Sequence, residues 1–498
     1  MKLDLDYNNR QIIPRWLPFQ LGLLLNKQKK IKPDTSAGND IFHYEKIKAE
    51  WRLNKTVSFA IQLVATADIL DFTEDEEYKE ALLFINKHKT VLSDNKLLED
   101  FFTLVDDRED YYTTMKSDNS KSIREIKTKL SFYIYDPILW IDLAYYYTIS
   151  RCKKKADKCI RIALSLNNYN PHIIRSAVRY LVFCQEPEKA LDLLRKTPNL
   201  LYNPLLLSAE ISVAEAFKIK TNNIKKGVTL IQENKFPPND LAELNASIAT
   251  IECNFGNVKK SKKYINNALV EPNENILAQI QYLSNRNDML FSPQQYEVPC
   301  RFEADAYNYF YSYRYKDVIS EARKWLDFHP FSSRPAILSS FVNSTFFDEY
   351  EDAISIIDES LKISAGNSLL LNNKAFALAK SGRTEEAVDC IKSIQISGSD
   401  EFDDADKNTL KATLGLIEYK KGNPAEGYRL YKEAADYFSK NGYLTLQARA
   451  LFFCFEEEEK FNKENAQKIL SQIIDITKKN DLKEIKILLE NKLNLINY

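Results

Sequence analysis

Residues 136–166 read DPILWIDLAYYYTISRCKKKADKCIRIALSL. Within this stretch Leu143, Ala144, Tyr147, Ala156, Ile160 and Ala163 stand 3, 4, 7, 16, 20 and 23 places after Trp140. Apolar residues three and four apart share a helix face, so the string predicts a hairpin of two amphipathic helices. The pair Ala144 and Ala156 marks where those helices touch, because only a small side chain lets two backbones approach there. With Trp140 counted as position 4, the pair occupies positions 8 and 20. Position 20 recurs at Ala190, Gly227, Ser261, Val318, Ala353, Ala387 and Gly427, at intervals of 34, 37, 34, 57, 35, 34 and 40. A small residue at position 8 checks the phase independently, and it recurs at Ala249, Ala306, Ala375 and Gly415. In the remaining units Val178, Glu215 and Phe341 fill that slot. Self-similarity at this period is the mark of a helical array.

The spacing resembles the tetratricopeptide repeat, whose W-LA-Y-A-x-A pattern residues 136–166 match at every slot. The resemblance covers about 136–273 and 301–440. It implies an all-α fold, a right-handed superhelical solenoid of antiparallel helical hairpins. Large apolar residues at positions 4, 7, 11 and 24 then fill the space between neighbours, so no repeat buries its own face and stability comes from stacking.

Composition agrees with this reading. Only 11 of 498 residues are Gly and 16 are Pro, too few glycines for a turn-dense β protein or for phosphate-cradling loops. Gly415 falls at position 8, Gly227 and Gly427 at position 20, and Gly256, Gly382 and Gly422 at the turn, position 15. Lys and Arg total 69 against 70 Asp and Glu, a net charge of -1, so no global field draws the protein to nucleic acid or anionic membrane. Locally, residues 151–200 carry 11 - 4 = +7 and residues 51–100 carry 6 - 10 = -4. The seven cysteines are scattered and never spaced as CxxC, which reads as reduced, mostly buried thiols. The start, MKLDLDYNNRQ, has acids where a secretory signal needs basic residues. No apolar run reaches the length of about 18 residues needed to span a membrane, and a cytoplasmic location is expected.

The expected organisation is an N-terminal helical region over 1–135, a repeat block over 136–273, an irregular linker or insert over 274–300, a second block over 301–440, and a terminal helical pair with a capping helix over 441–498. Segments 44–70, 77–90 and 121–134 show helical periodicity without the position 8 and 20 pair, so 1–135 reads as divergent repeats or a separate helical domain. In RQIIPRWLPFQLGLLL, residues 10–25, two prolines flank Trp16, which suits an extended arm. That arm is expected to lie against the first hairpins and cover their apolar end; the alternative is a docking peptide for a partner.

No constellation for catalysis stands out. There is no GxxxxGK[ST] or GxGxxG loop, and His43, His88, His172 and His329 stand apart from one another with no zinc-ligand spacing. Acidic runs at 74–77, 400–406 and 456–459 read as solvated faces or loops, and none has the glycine of a calcium loop. No catalytic residue, metal or cofactor is therefore expected. The resemblance implies instead a concave surface built from the first helix of each hairpin. Carried over by position, it comprises Tyr145; His172, Arg175, Arg179 and Phe183; Glu303, Tyr307, Phe310 and Tyr311; and Asn372 and Phe376. Aromatic and Arg side chains in a groove are the usual anchors of an interface. Arg175 and Arg179 share a face and could meet an acidic group, so a protein or peptide partner is expected, an acidic segment included. Reversing both charges is expected to abolish capture and leave unfolding nearly unchanged. The carboxylate-gripping set known in this family is absent, since position 5 is Ile141, Arg175 and Ser212 in the first three units. The expected function is a non-enzymatic scaffold or adaptor. Nucleic-acid binding by helical repeats is disfavoured, because the +7 is confined to one block. Two further alternatives are a regulatory partner of a toxin, defence or secretion effector, and a catalytic or signalling domain within 1–135.

Overall fold

A computed structural model describes residues 10–19, 38–87 except 54, 71 and 73, 119–286 except 234, 289–397 except 365, and 403–493. These residues contain no strand and divide into two compact units, the described residues of 17–121 with 297–299, and those of 10–16, 122–296 and 300–493. In the smaller unit the described helices are α1 (Gly38–Leu53), α2 (Val57–Leu70) and α3 (Glu76–Lys87). Tyr44, Ile47 and Trp51 of α1 share a buried cluster with Leu63, Val64 and Ala67 of α2 and with Ala81 and Ile85 of α3. The aromatic heads keep polar partners, Tyr44 Oη donating to Asp75 at 3.0 Å and Trp51 Nε1 to Glu80 at 3.2 Å. The periodicity over 44–70 is thus two helices, and residues 88–90 of the next expected segment lie outside the described residues.

The larger unit repeats one motif. After α4 (Asn119–Phe132) come the hairpins α5 (Pro137–Ile149) and α6 (Lys153–Leu166), α7 (Pro171–Phe183) and α8 (Pro187–Lys196), α9 (Pro204–Ala216) and α10 (Ile224–Gln232), and α11 (Pro238–Asn254) and α12 (Val258–Ala268). Helix α13 (Glu274–Arg286) follows. Then come α14 (Phe302–Tyr311) and α15 (Tyr315–Phe328), α16 (Arg334–Val342) and α17 (Tyr350–Leu361), α18 (Ser368–Lys380) and α19 (Thr384–Ser397), and α20 (Asp404–Lys420) and α21 (Pro424–Lys440). The chain closes with α22 (Leu444–Phe461), α23 (Lys463–Asn480) and α24 (Lys483–Leu493). Three first helices open alike: Asp136, Asn170 and Asn203 cap the free N–H groups of α5, α7 and α9, and a proline fills the first helical position. Each first helix packs on its own second helix, and successive first helices pack on one another, as α9 on α11, α11 on α13 and α18 on α20.

The small pair sits at the closest approach. A Cβ on Gly415 would lie 3.0 Å from the carbonyl oxygen of Gly427, and one on Gly427 would lie 2.9 Å from that of Gly415. Ser261 Oγ donates to the Ala249 carbonyl at 2.9 Å, the same pair in another hairpin. Ala144, Ala156, Ala306, Ala375 and Ala387 are fully buried. The turn between the two helices is equally regular. Arg151, Gln185, Lys218, Gly256, Tyr313, Asp348, Gly382 and Gly422 are all left-handed, with φ from 55° to 85°. The next N–H closes the helix end, Cys152 bonding to Tyr147 O and Arg383 to Leu378 O at 2.8 Å, the hydrogen bond of a Schellman cap. The described residues of the larger unit form an all-α solenoid of tetratricopeptide-like hairpins.

This turn corrects one register. The left-handed residue falls seven places after position 8 in the other hairpins, and Lys218 falls seven after Ile211. A Cβ on Gly227 would also meet Ile211 Cδ1 at 3.2 Å. Ile211, not Glu215, therefore holds position 8, and a longer turn before α10 absorbs the difference. A second correction concerns the acidic run 456–459. Glu457 and Glu458 are buried, with Lys420 Nζ 3.0 Å from Glu457 and with Tyr419 and Asn465 donating to Glu458. Residues 400–402 of the other long run lie outside the described residues. Lys153, Lys154 and Lys155 face solvent. All seven cysteines are free thiols, but only Cys159, Cys253 and Cys454 are buried and the other four are half-buried, so the expectation of mostly buried thiols does not hold. Among the described residues no helix is long and apolar enough to cross a membrane.

Candidate partner-binding groove

Residues 10–16, RQIIPRW, run extended, as Pro14 requires of the residue before it. Burial alternates along them: Arg10, Ile12, Pro14 and Trp16 are buried, while Gln11, Ile13 and Arg15 are half-buried. The arm lies against four first helices, α5, α7, α13 and α14. Its backbone is read by two amides of α13, Asn275 Nδ2 donating to Ile13 O at 3.0 Å and Gln279 Nε2 to Arg10 O at 2.8 Å. Gln279 Nε2 also lies 2.9 Å from Thr250 Oγ1 on α11, which fixes the amide's orientation.

All three side-chain nitrogens of Arg10 are engaged in this seat. Its Nε and Nη2 fork onto Glu303 of α14 at 2.7 and 3.1 Å, Nη1 donates to Gln279 Oε1 at 2.5 Å, and Nη2 also reaches Asn275 Oδ1 at 3.0 Å. A buried guanidinium is tolerable only with this degree of pairing. Arg15 and Arg334 converge on the same carboxylate, Arg334 at 3.0 Å. Burial pushes Glu303 up, yet Arg10, Arg15 and Arg334 together outweigh it and hold the carboxyl well below its usual range. At the other end Trp16 stacks on Phe331 at 5.3 Å and meets Tyr145 and Tyr180 edge-on at 5.4 and 6.0 Å. Such ring geometries are favoured beyond their buried area.

Of the residues expected to line the groove, Tyr145, Arg179, Phe183 and Glu303 are brought together around this arm and the Phe331 loop. Phe331 lies 5.1 Å from Tyr145 and 5.3 Å from Phe183, and its carbonyl accepts from Arg179 Nη2 at 3.1 Å. Tyr307 is buried under Arg334, 5.7 Å from the guanidinium. The others are elsewhere. Phe310 is buried against Tyr315 and Phe341, with Tyr311 exposed beside it. Asn372 and Phe376 are buried in the packing of α18, where Phe376 meets Phe453 of α22 at 4.8 Å. His172 is half-buried at the start of α7, its ring lowered to about 4 by burial and by Arg175.

Arg175 and Arg179 are not a free double cation. Arg175 is 2.7 Å from Glu243 of α11 and donates to Leu205 O at 3.1 Å, while burial and Arg15 lower Arg179 to about 10. Reversing both charges would set a carboxylate against Glu243, so unchanged unfolding is the wrong expectation for that variant. The arm also does more than cover an apolar end, because it reaches α13 and α14 as well as the first two hairpins. Asn275, Gln279, Phe331 and Arg334 escaped the sequence reading. Only the two amides left a signal: polar residues four apart on the NILAQIQYL stretch of α13, which has one further polar residue, Gln281. Among the described residues no three His, Cys, Asp or Glu gather where they could hold a metal.

No family model and no curated protein matches the chain. Among solved structures it is similar to yeast Tom70, at 12% identity over 77% of this chain and 96% of that chain with a TM-score of 0.32. It is similar to the APC/C hetero-tetramer Cut9-Hcn1, at 12% identity over 95% and 97% with a TM-score of 0.40. It is also similar to the human IFIT1 dimer with PPP-AAAA, at 12% identity over 99% of both chains with a TM-score of 0.32.

Proposed function

We propose that the protein is a non-enzymatic interaction scaffold or adaptor whose first helices hold an extended segment of a partner protein. The observation that carries this reading is the arm itself. Side-chain amides grip its carbonyls, one carboxylate takes its arginines and an aromatic cage takes its tryptophan. These are the means by which a groove recognises an extended chain with any sequence between its anchors. With the arm seated, Tyr145, Glu303, Tyr307, Phe310, Asn372 and Phe376 are buried, whereas His172, Arg175, Arg179 and Phe183 keep part of their surface and Tyr311 is exposed. Of these, Arg179 and Phe183 stand beside the seated arm and keep the surface that a partner would meet there.

The test is affinity purification of the full-length protein from its native cell beside an Arg179→Gln, Phe183→Leu variant. A protein that co-purifies with the wild type and is lost from the variant, at unchanged melting temperature, supports the groove. Equal recovery from both overturns it. Recovery of RNA in place of a protein, with a mobility shift at moderate salt, would favour the nucleic-acid alternative.

A further inference from the structure

Charge in the first repeat block is sorted by helix. Its second helices, α6, α8, α10 and α12, carry 14 Lys and Arg against three Asp and Glu, a net of 14 - 3 = +11. The first helices of the same hairpins, α5, α7, α9 and α11, carry 2 - 6 = -4, and the second helices of the next block, α15, α17, α19 and α21, carry 7 - 13 = -6. The positive charge over 151–200 therefore continues to Lys263 on one layer of the fold. Successive first helices pack on one another while successive second helices make no comparable contact, so the second helices stand on the outer side of the array. Five of the 14 cations, Lys153, Lys189, Arg195, Lys196 and Lys260, form ion pairs. The remaining 14 - 5 = 9 form none among the described residues. Lys154, Lys158 and Arg161 are exposed on one face of α6, as Lys259 and Lys263 are on one face of α12. Aromatic rings accompany this charge at the repeat period. Tyr135, Tyr169 and Tyr202 each precede the N-cap of a first helix, 34 and 33 residues apart, and are 81%, 59% and 69% exposed. Tyr169 follows α6 and Tyr202 follows α8, and Lys226 of α10 lies over the Tyr202 ring, 5.4 Å from its centroid.

Cations gathered on one layer raise the local potential and draw a polyanion, whose condensed counter-ions are released on binding. Exposed rings beside them offer stacking platforms to unpaired bases. We propose that the outer face of α6, α8, α10 and α12 binds single-stranded nucleic acid, with phosphates on the cations and bases on Tyr169 and Tyr202. An acidic peptide would answer the charge and leave the rings unused. A lipid surface is flat and cannot meet four helices set round the outside of a bend. A single strand follows them in turn, because each phosphate is a separate charge on a flexible chain. This face is separate from the groove, so the proposal does not rest on the partner reading, and its neutralisation leaves the Arg179→Gln, Phe183→Leu comparison unchanged.

The probe is a labelled RNA of about 20 unstructured nucleotides, enough to cross several such platforms, followed by fluorescence anisotropy as full-length protein is titrated in over a salt series. Saturable binding is expected, with a logarithmic salt slope of about -0.7 per phosphate contact. The variant Lys154→Gln, Lys158→Gln, Arg161→Gln should bind about tenfold more weakly and lose about 2 from the magnitude of that slope. Tyr169→Ala with Tyr202→Ala should weaken binding about tenfold and leave the slope unchanged, because stacking releases no counter-ion. Removing three charges from the second block instead, by Lys316→Gln, Lys392→Gln and Lys432→Gln, should change neither. All eight side chains are exposed, so melting temperatures should match the wild type. Absence of saturable binding, an equal loss in the second-block variant, or undiminished affinity in the tyrosine variant overturns the proposal. Tighter binding of polyglutamate or of phosphatidylserine vesicles than of the RNA overturns it as well.

Discussion

His329 shows how a single buried side chain sets a pH dependence. Burial, with Arg15 next, holds its ring well below the usual histidine value, so the native state keeps it neutral while the unfolded chain takes a proton near the ordinary value of about 6.5. The unfolded state then binds more protons as pH falls below that value, and stability must drop with it. The expected slope is up to about 1.4 kcal/mol per pH unit from this one group. His172 acts in the same direction until pH reaches its native value of about 4. Glu303 adds its own loss at lower pH: its native pKa is depressed, so its contribution is present above the ordinary carboxyl range and disappears as the group protonates. Urea melts between pH 7.5 and 5 check the histidine window. His329→Asn should flatten the profile, and an unchanged slope would mean the ring titrates normally in the folded protein.

Among the elements, the helical hairpin depends on its left-handed turn and on the contact between positions 8 and 20. Gly256, Gly382 and Gly422 fill the turn without strain, whereas Arg151, Gln185, Lys218, Tyr313 and Asp348 adopt it with a side chain. A Cβ on Gly382 would meet no atom within 4 Å, so Gly382→Ala isolates the backbone term and should cost about 1 kcal/mol. Gly427→Ala tests the other requirement. Its Cβ would fall 2.5 Å from Tyr419 Cδ2 and 2.9 Å from Gly415 O, and an overpacked contact of that kind costs about 1–3 kcal/mol. Denaturant melts should place Gly427→Ala below Gly382→Ala; the reverse order would show that α20 and α21 separate easily. These features were legible because each is local. Positions 8 and 20 are twelve residues apart, and the turn lies between them. Glu215 was misread because a longer turn is invisible when only position 20 is tracked.

For the larger unit taken whole, nearest-neighbour stacking alone would let the array melt piecemeal. The arm opposes this by tying α13 and α14 to α5 and α7, with Trp16 fully packed between Tyr145, Tyr180 and Phe331. Trp16→Ala should cost about 3–5 kcal/mol, as large-to-small changes of buried aromatics do. Hydrogen exchange is the informative readout. If the arm couples the two ends, the variant should lose protection in α5, α7, α13 and α14 together; loss confined to α5 and α7 would mean that the Arg10 seat holds by itself.

By itself the amino-acid sequence determined the all-helical class, the hairpin period and most of the register, because these are written in spacings shorter than one repeat. It also marked residues 10–25 as a segment suited to an extended arm, since prolines constrain their own neighbours. Only the tertiary structure decided where that arm goes, and with it which of the residues expected to line a groove are buried. The physical reason is distance along the chain. Arg10 meets Glu303 across 293 residues and Gln279 across 269, and no local spacing encodes a pairing that exists only after the intervening hairpins have stacked.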